Sequence, residues 1–255
     1  MIQIHPYILG SRSAKALKEY LTERGIRAVI SHRLRSNRKR MIVGWGARSL
    51  DFQLGHNVLI NDPNVTKILS CKKRFFDHIN NGQNGSYLPE FTSDLDVARG
   101  WNDTVVVRHT TTGSGGEGIE LVEAGEELPN APLYTRYRKK THEYRLHILG
   151  GEVREIQRKV FVKTDDKPEP EDWRIRNHTK GFIFQTEADV VNEVREAATK
   201  VASSFDGLDF VAMDVIYHEP TKRALVLEGN TAPGLEGPRA AIYGDYLIEK
   251  YKEIM

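Results

Sequence analysis

Apolar and polar positions along the 255-residue chain follow two periods, and the switches between them outline its elements. From Ser13 to Gly25, SAKALKEYLTERG, apolar residues recur at helical spacing and Gly25 closes the run, which predicts an amphipathic helix. IRAVISH and RMIVGWG predict short strands around the basic loop RLRSNRKR, and NVLIND predicts another strand. A helix is expected over VTKILSCKKRFFDHIN, a loop over GQNGSYLP and a buried strand over TVVVRHT. The Gly-rich turn TTGSGGEG, Thr111 to Gly118, leads into a returning strand, GIELVE. LYTRYRK and EYRLHILGGEVREIQRKVF read as strands, the latter folded at a Gly150-Gly151 hairpin turn, and TDDKPEPEDW as a surface loop. Asp189 to Phe205 has strong helical periodicity with Asp189 as its cap. DFVAMDVIYH and RALVLEGN predict an antiparallel pair joined by EPTK, and GDYLIEKYKEIM a last helix. Hairpins mixed with crossovers give an α+β class rather than a doubly wound sheet.

Composition narrows the function only slightly. At 39% hydrophobic the chain can build a real core, and 37 Lys+Arg against 35 Asp+Glu gives no general case for nucleic acid or membrane as partner. A single cysteine, Cys71, rules out an internal disulfide and leads us to expect a reducing, cytoplasmic setting. No apolar run reaches the roughly 18 residues of a membrane span, and MIQIHPYILG is too short and uncharged for a signal peptide.

Three features carry chemistry. The loop in VVVRHTTTGSGGEGIELV offers bare backbone N–H groups to phosphate oxygens, yet lacks the Lys-Ser/Thr ending and following helix of a Walker A loop. Asp214 interrupts an apolar strand, where a carboxylate is costly unless paired or metal-bound. If that strand pairs with ALVLEGN, then Asp214, Glu228 and Asn230 converge as hard oxygen ligands suited to Mg²⁺. Lys72, Arg108, Arg145, Lys159 and Arg176 form a cationic series able to neutralise phosphate groups.

NDPNVTKILSCKKRFF, VVVRHTTTGSGGEGIELV, PLYTRYRKKTHEYRLHI, IQRKVF, IRNHTKGFIF, GLDFVAMDVI and LEGNTAPGLEG occur in an order that resembles the ATP-grasp enzymes. Among these the chain is most similar to the ribosomal-protein glutamate ligase-like (RimK-type) branch, in its small bacteriophage-type members. The resemblance covers about residues 60 to 240. It implies two α+β subdomains clasping ATP behind a shortened N-terminal α/β region at 1–62, with a lid subdomain at 63–135 and a metal- and substrate-binding subdomain at 136–255. It also implies roles by position. Lys72, or Lys73 in the neighbouring register, contacts the α-phosphate. Arg108 stands where lysine is usual, and keeps the charge with a different shape. Gly113, Ser114, Gly115, Gly116 and Gly118 form the lid loop, and Tyr134, Thr135, Arg136 and Tyr137 the adenine hinge. Arg145 and Lys159 face the transferred phosphoryl group, Arg176 and Asn177 flank the second metal, and Asp214, Glu228 and Asn230 hold two Mg²⁺ ions, with Mn²⁺ as a substitute.

The implied activity is amide formation from a carboxylate substrate and an amine acceptor (an amino acid, peptide or protein tail) through an acyl phosphate, releasing ADP and phosphate. No nucleophilic side chain is needed, so His109, His142, His147 and His178 read as structural. The basic loop Arg33–Arg40 departs from the family and suits an anionic acceptor. A kinase for a polyanionic small molecule and a non-catalytic binding protein are the alternatives, and a homo-oligomer is expected from relatives.

Overall fold

The computed structural model describes residues 1–34, 38–113, 117–164 and 169–254. Their hydrogen bonding resolves into three sheets. The first is parallel, in the order β2-β1-β3-β4, from β1 (Ile2–Pro6), β2 (Ala28–Ile30), β3 (Met41–Trp45) and β4 (Val58–Ile60). Sequence patterning misses β1 because buried Gln3 and His5 alternate with Ile2 and Ile4. Helix α1 (Arg12–Glu23) follows β1, its first turn capped by Ser11 Oγ, which accepts from Ala14 N (3.3 Å). Ala14, Leu17 and Leu21 bury its apolar stripe against Ile2, Ile4 and Trp45.

The predicted helix over 65–80 is two helices, α2 (Pro63–Leu69) and α3 (Lys72–Asn80). Cys71 is extended between them, and the backbone N–H of Lys72 donates to Thr111 O (2.7 Å) instead of to the preceding turn. The break therefore ties the start of α3 to the Gly-rich turn.

The second sheet, β5-β8-β6-β7, is antiparallel: β5 (Phe91–Thr92), β6 (Val105–Arg108), β7 (Ile119–Val122) and β8 (Leu133–Arg136), with α4 (Leu95–Arg99) before β6. Neither β5 nor α4 was expected. Asp94 caps α4, and Val105, Val107, Val122 and Tyr134 make a small core of their own.

The third sheet is also antiparallel, β11-β10-β9-β12-β13, built from β9 (His142–Leu149), β10 (Glu152–Phe161), β11 (Phe182–Glu187), β12 (Phe210–His218) and β13 (Arg223–Asn230). Gly150 and Gly151 both have positive φ (60° and 81°), as the tight β9–β10 hairpin demands. One face, with Leu146, Ile148, Met213, Val215 and Val226, packs on Phe75, Phe76 and Ile79 of α3 and on α5 (Asn192–Ala202). Asp189 does not cap α5. The helix starts after Val191, and Asp189 instead accepts from Val190 N and pairs with Arg195 (2.7 Å each). The final helix, α6 (Arg239–Ile254), starts earlier than expected, and its Gly244 lies against α1, where a Cβ would be 2.2 Å from the Tyr20 ring.

Asn61 supplies polar links between the first and third sheets, beside the packing of Trp45 on Phe210. Asn61, left-handed at φ 57°, accepts through Oδ1 from Asp209 N (2.7 Å) and Phe210 N (2.9 Å), and its Nδ2 donates to Phe210 O (2.8 Å). Among the described residues, no helix is long and apolar enough to cross a membrane.

Candidate functional site

The outer face of the third sheet is polar, in a fold whose other face is core. Strand register sets Gln157, Arg145, Asp214 and Glu228 side by side across β10, β9, β12 and β13. A bulge after Asp214, which pairs Val215 with Val226, leaves Leu227 without a partner and keeps Glu228 opposite Asp214. This row floors a cavity of about 620 Å³ whose roof comes from the second sheet and the Gly-rich turn.

Arg145 and Asp214 form a two-pronged pair, Nε to Oδ1 at 2.6 Å and Nη2 to Oδ2 at 2.8 Å, with side chains only 18% and 7% exposed. Burial raises the Asp214 carboxyl above its usual range; Arg145 opposes this and Glu228 adds to it. Burial also pushes Glu228 up, but Lys72, Arg145 and Arg108 outweigh it and hold that carboxyl low. The Lys72 ammonium lies 2.8 Å from Glu228 Oε2 and 3.5 Å from Gly113 O, so it spans floor and roof. Lys73 turns away to Asp77, and Lys72 is the one of the two that lines the cavity.

The remaining predicted residues divide by position. Arg108, buried at the end of β6, has no hydrogen-bond partner for Nε among the described residues; burial lowers its pKa against the pull of Glu228. Gly113 lines the cavity, whereas Gly118 closes the turn by accepting from His109 N (2.8 Å). Ser114, Gly115 and Gly116 lie outside the described residues. Tyr134 points into the core of the second sheet, where Pro129 O and Ala131 N satisfy its hydroxyl. Thr135, Arg136 and Tyr137 line the cavity, although Arg136 is held by Glu90 and Asp103 (3.0 Å each). Lys159 pairs with Glu143 and donates to Arg176 O (3.1 Å), and Glu143 also holds Lys140 (2.7 Å). Burial raises the Glu143 carboxyl, and the two ammonium groups more than reverse it. Arg176 and Asn177 line the same wall; Asn177 Oδ1 accepts from Lys180 N (3.0 Å) to cap the 3₁₀ turn His178–Lys180.

Asn230 faces the same side as Glu228 but opposite Ala212, and its Oδ1 accepts from Ala232 N (2.9 Å) within its own turn. The described residues contain no group of three or more His, Cys, Asp or Glu poised for a metal. The donor set Asp214, Glu228 and Asn230 nevertheless fits a hard divalent cation chemically. It offers oxygen donors, and the Glu228 charge facing Asp214 disfavours the ionised form of Asp214, a cost that a further cation between the two carboxylates would relieve.

Glu143, Gln157, Phe184, Arg174 and Arg239 also line the cavity and escaped the sequence reading. Phe184 lies 4.2 Å from the Arg145 guanidinium carbon and 4.8 Å from Lys159 Nζ, a cation–π floor for both. Glu143, Arg145 and His147, then Glu155, Gln157 and Lys159, occupy alternate positions of two paired strands, so a stricter period-2 reading would have gathered them on one face. The basic loop also needs correction. Arg40 is buried, donating from Nη1 to Gln3 Oε1 (2.7 Å) and from its backbone N–H to Asn57 Oδ1 (2.8 Å), so it serves the first sheet and is not a free loop charge.

No family model and no curated protein matches the sequence. Solved structures do resemble the whole chain. ATP-grasp ligase PsnB, complexed with precursor peptide PsnA2 and AMPPNP, superposes with a TM-score of 0.70 at 13% identity, covering 98% of both chains. A RimK domain ATP-grasp protein from Sphaerobacter thermophilus gives 0.62 at 14% identity over 96% of this chain and 98% of that one. D-alanine–D-alanine ligase from Bacillus anthracis gives 0.62 at 12% identity over 99% and 96%. The fold is therefore the ATP-grasp fold, as the ordered motifs led us to expect.

Proposed function

We propose that the chain is an ATP-dependent carboxylate–amine ligase that forms an amide bond and releases ADP and phosphate. The observation that carries this reading is the convergence of Lys72, Arg108, Arg145 and Lys159 on the acidic pair Asp214 and Glu228 inside one roofed cavity. That is the charge pattern a Mg²⁺-bound triphosphate requires.

In this reading Lys72 and Arg108 bind ATP phosphates beneath the Gly-rich turn, and the backbone of Tyr134 to Tyr137 holds the adenine. Asp214, Glu228 and Asn230 would hold Mg²⁺, one ion or two, or Mn²⁺; the metal would supply charge neutralisation at the β- and γ-phosphates. Arg145 and Lys159 orient the γ-phosphoryl group. An oxygen of the substrate carboxylate attacks the γ-phosphorus and ADP leaves, giving an acyl phosphate. The amine then attacks the acyl carbon, phosphate departs and the amine loses a proton. The chain's part is to bind, orient and exclude water.

The ordered motifs support a ribosomal-protein glutamate ligase-like enzyme of bacteriophage type, acting in the cytoplasm, in three parts near 1–62, 63–135 and 136–255. PsnB was solved with a precursor peptide, and MdnC with precursor peptide MdnA, which favours a peptide among the substrates here. The basic loop Arg33–Arg40, of which residues 35–37 lie outside the described residues, supports an anionic acceptor; neutralising Arg35, Arg38 and Lys39, with buried Arg40 left in place, should raise acceptor KM without changing ATP KM. A homo-oligomer is part of the same reading, checked by sedimentation. The deciding experiment is ADP release from Mg²⁺-ATP with amino acids and acidic peptides, offered singly and in pairs. Release that needs a pair, with a product one water lighter than their sum, supports the ligase. Release with a single acceptor that gains a phosphate replaces it with a kinase.

A further inference from the structure

Beneath the cavity floor lies a buried polar chain that the proposed reaction does not use. Tyr243 of α6 is fully buried, and its hydroxyl lies 2.9 Å from His147 Nδ1. His147 Nε2 lies 2.9 Å from Gln157 Oε1, and Gln157, 3% exposed, lines the cavity.

The proton positions follow from counting partners. Among the described residues the Tyr243 hydroxyl has no other acceptor, so its proton goes to His147 Nδ1; otherwise it would be buried without a partner. A ring that accepts at Nδ1 carries its hydrogen on Nε2. Gln157 Oε1 accepts that hydrogen, and Glu155 Oε2, 3.8 Å from Nε2, favours the same tautomer electrostatically. With its oxygen so engaged, the Gln157 carboxamide turns its NH₂ to the cavity. Its cross-strand neighbour there is Arg145, whose Nε and Nη2 are committed to Asp214. The opposite tautomer would turn the Gln157 oxygen to the cavity and repel an anion.

We propose that Gln157 receives the carboxylate group of the substrate as a neutral hydrogen-bond donor beside Arg145, and that Tyr243 and His147 are positioning residues that fix its orientation. This rests on the ligase reading above. A neutral donor suits the task, because it grips the carboxylate oxygens without an ion pair that would blunt their attack on phosphorus.

The test uses the full chain and two magnetic resonance measurements. Long-range proton–nitrogen correlation should show His147 as the Nε2–H tautomer, its signals assigned by their loss in His147→Gln. Sodium acetate, as a minimal carboxylate, is then titrated into protein saturated with Mg²⁺-ADP. The Gln157 side-chain amide should shift saturably. Gln157→Leu and His147→Leu should each weaken acetate binding about tenfold, while His147→Gln, which keeps a donor toward Gln157, should restore much of it. Mg²⁺-ADP affinity should stay unchanged in all three. An Nδ1–H tautomer, an unmoved Gln157 amide, or undiminished acetate affinity in Gln157→Leu overturns the inference. Failure of the wild type to bind Mg²⁺-ADP counts against the ligase reading instead, and the tautomer still decides how Gln157 points.

Discussion

Replacing Arg145 with methionine isolates the electrostatics of the cavity floor. Methionine keeps most of the stem but removes the guanidinium over the Phe184 ring and both hydrogen bonds to Asp214. Asp214, 7% exposed, would then be a buried carboxylate facing a second one on Glu228. Breaking a buried pair from one side costs about 3–5 kcal/mol, and about 2–4 °C per kcal/mol for a chain of this size gives a fall in Tm of roughly 6–20 °C. Arg99→Met is the control. It breaks a pair whose side chains are 49% and 87% exposed and should leave Tm unmoved. Calorimetry with and without millimolar Mg²⁺ adds the second half of the prediction: the ion should recover more of the lost Tm in Arg145→Met than it adds to the wild type, since the freed carboxylates bind it better. A variant that melts with the wild type, or gains nothing extra from Mg²⁺, would refute both the buried-pair account and the assignment of these carboxylates as metal ligands.

Asp214→Asn combined with Glu228→Gln should abolish ADP formation while preserving the far-ultraviolet spectrum; full activity would end the metal assignment. Burial depresses the His147 pKa from 6.5 to about 4, so between those values the unfolded chain binds the extra proton. The contribution of His147 is therefore complete above pH 6.5 and is lost as pH falls toward 4, by at most about 3 kcal/mol; melting curves should show that slope flattened in His147→Gln. Gly44→Ala would set a Cβ 2.3 Å from Asn61 O, at the joint between the first and third sheets. A loss of about 1–3 kcal/mol is expected in denaturant titration, and an unchanged midpoint would show that the joint yields.

Legibility followed the range of the interaction. The β12–β13 pair, the Gly150-Gly151 turn and the shared face of Asp214 and Glu228 depend on neighbours in sequence and strand alternation, and all were readable. Lys72 was readable as a cation, and the family resemblance alone placed it at the start of a helix; apolar spacing ran one helix through it, because the break comes from Thr111 O, 39 positions away, which draws off its backbone N–H. Arg40 sat in a run of positive charge, and only the distant Gln3 and Asn57 make it structural. Gln157 lay inside the motif IQRKVF without a role of its own. Its meaning comes from His147 on β9 and Tyr243 on α6, a contact that no local pattern encodes.

The ion pairs at the site share a logic that bears on turnover. Lys72 rests on Glu228, Arg145 on Asp214 and Lys159 on Glu143, so three of the four cations proposed for phosphate are paired with a carboxylate, and two of those carboxylates are the proposed metal ligands. Mg²⁺-ATP would bring both signs at once, the metal to the carboxylates and the phosphates to the cations. Binding is then an exchange of partners in which no charge is left bare, and the desolvation already met on folding is not met again. Either component alone breaks the exchange. ATP without metal would leave Asp214 and Glu228 uncompensated, and Mg²⁺ without nucleotide would strand Lys72. Affinity for the two together should therefore exceed the product of the separate affinities, a coupling that titration of ADP with and without Mg²⁺ measures directly.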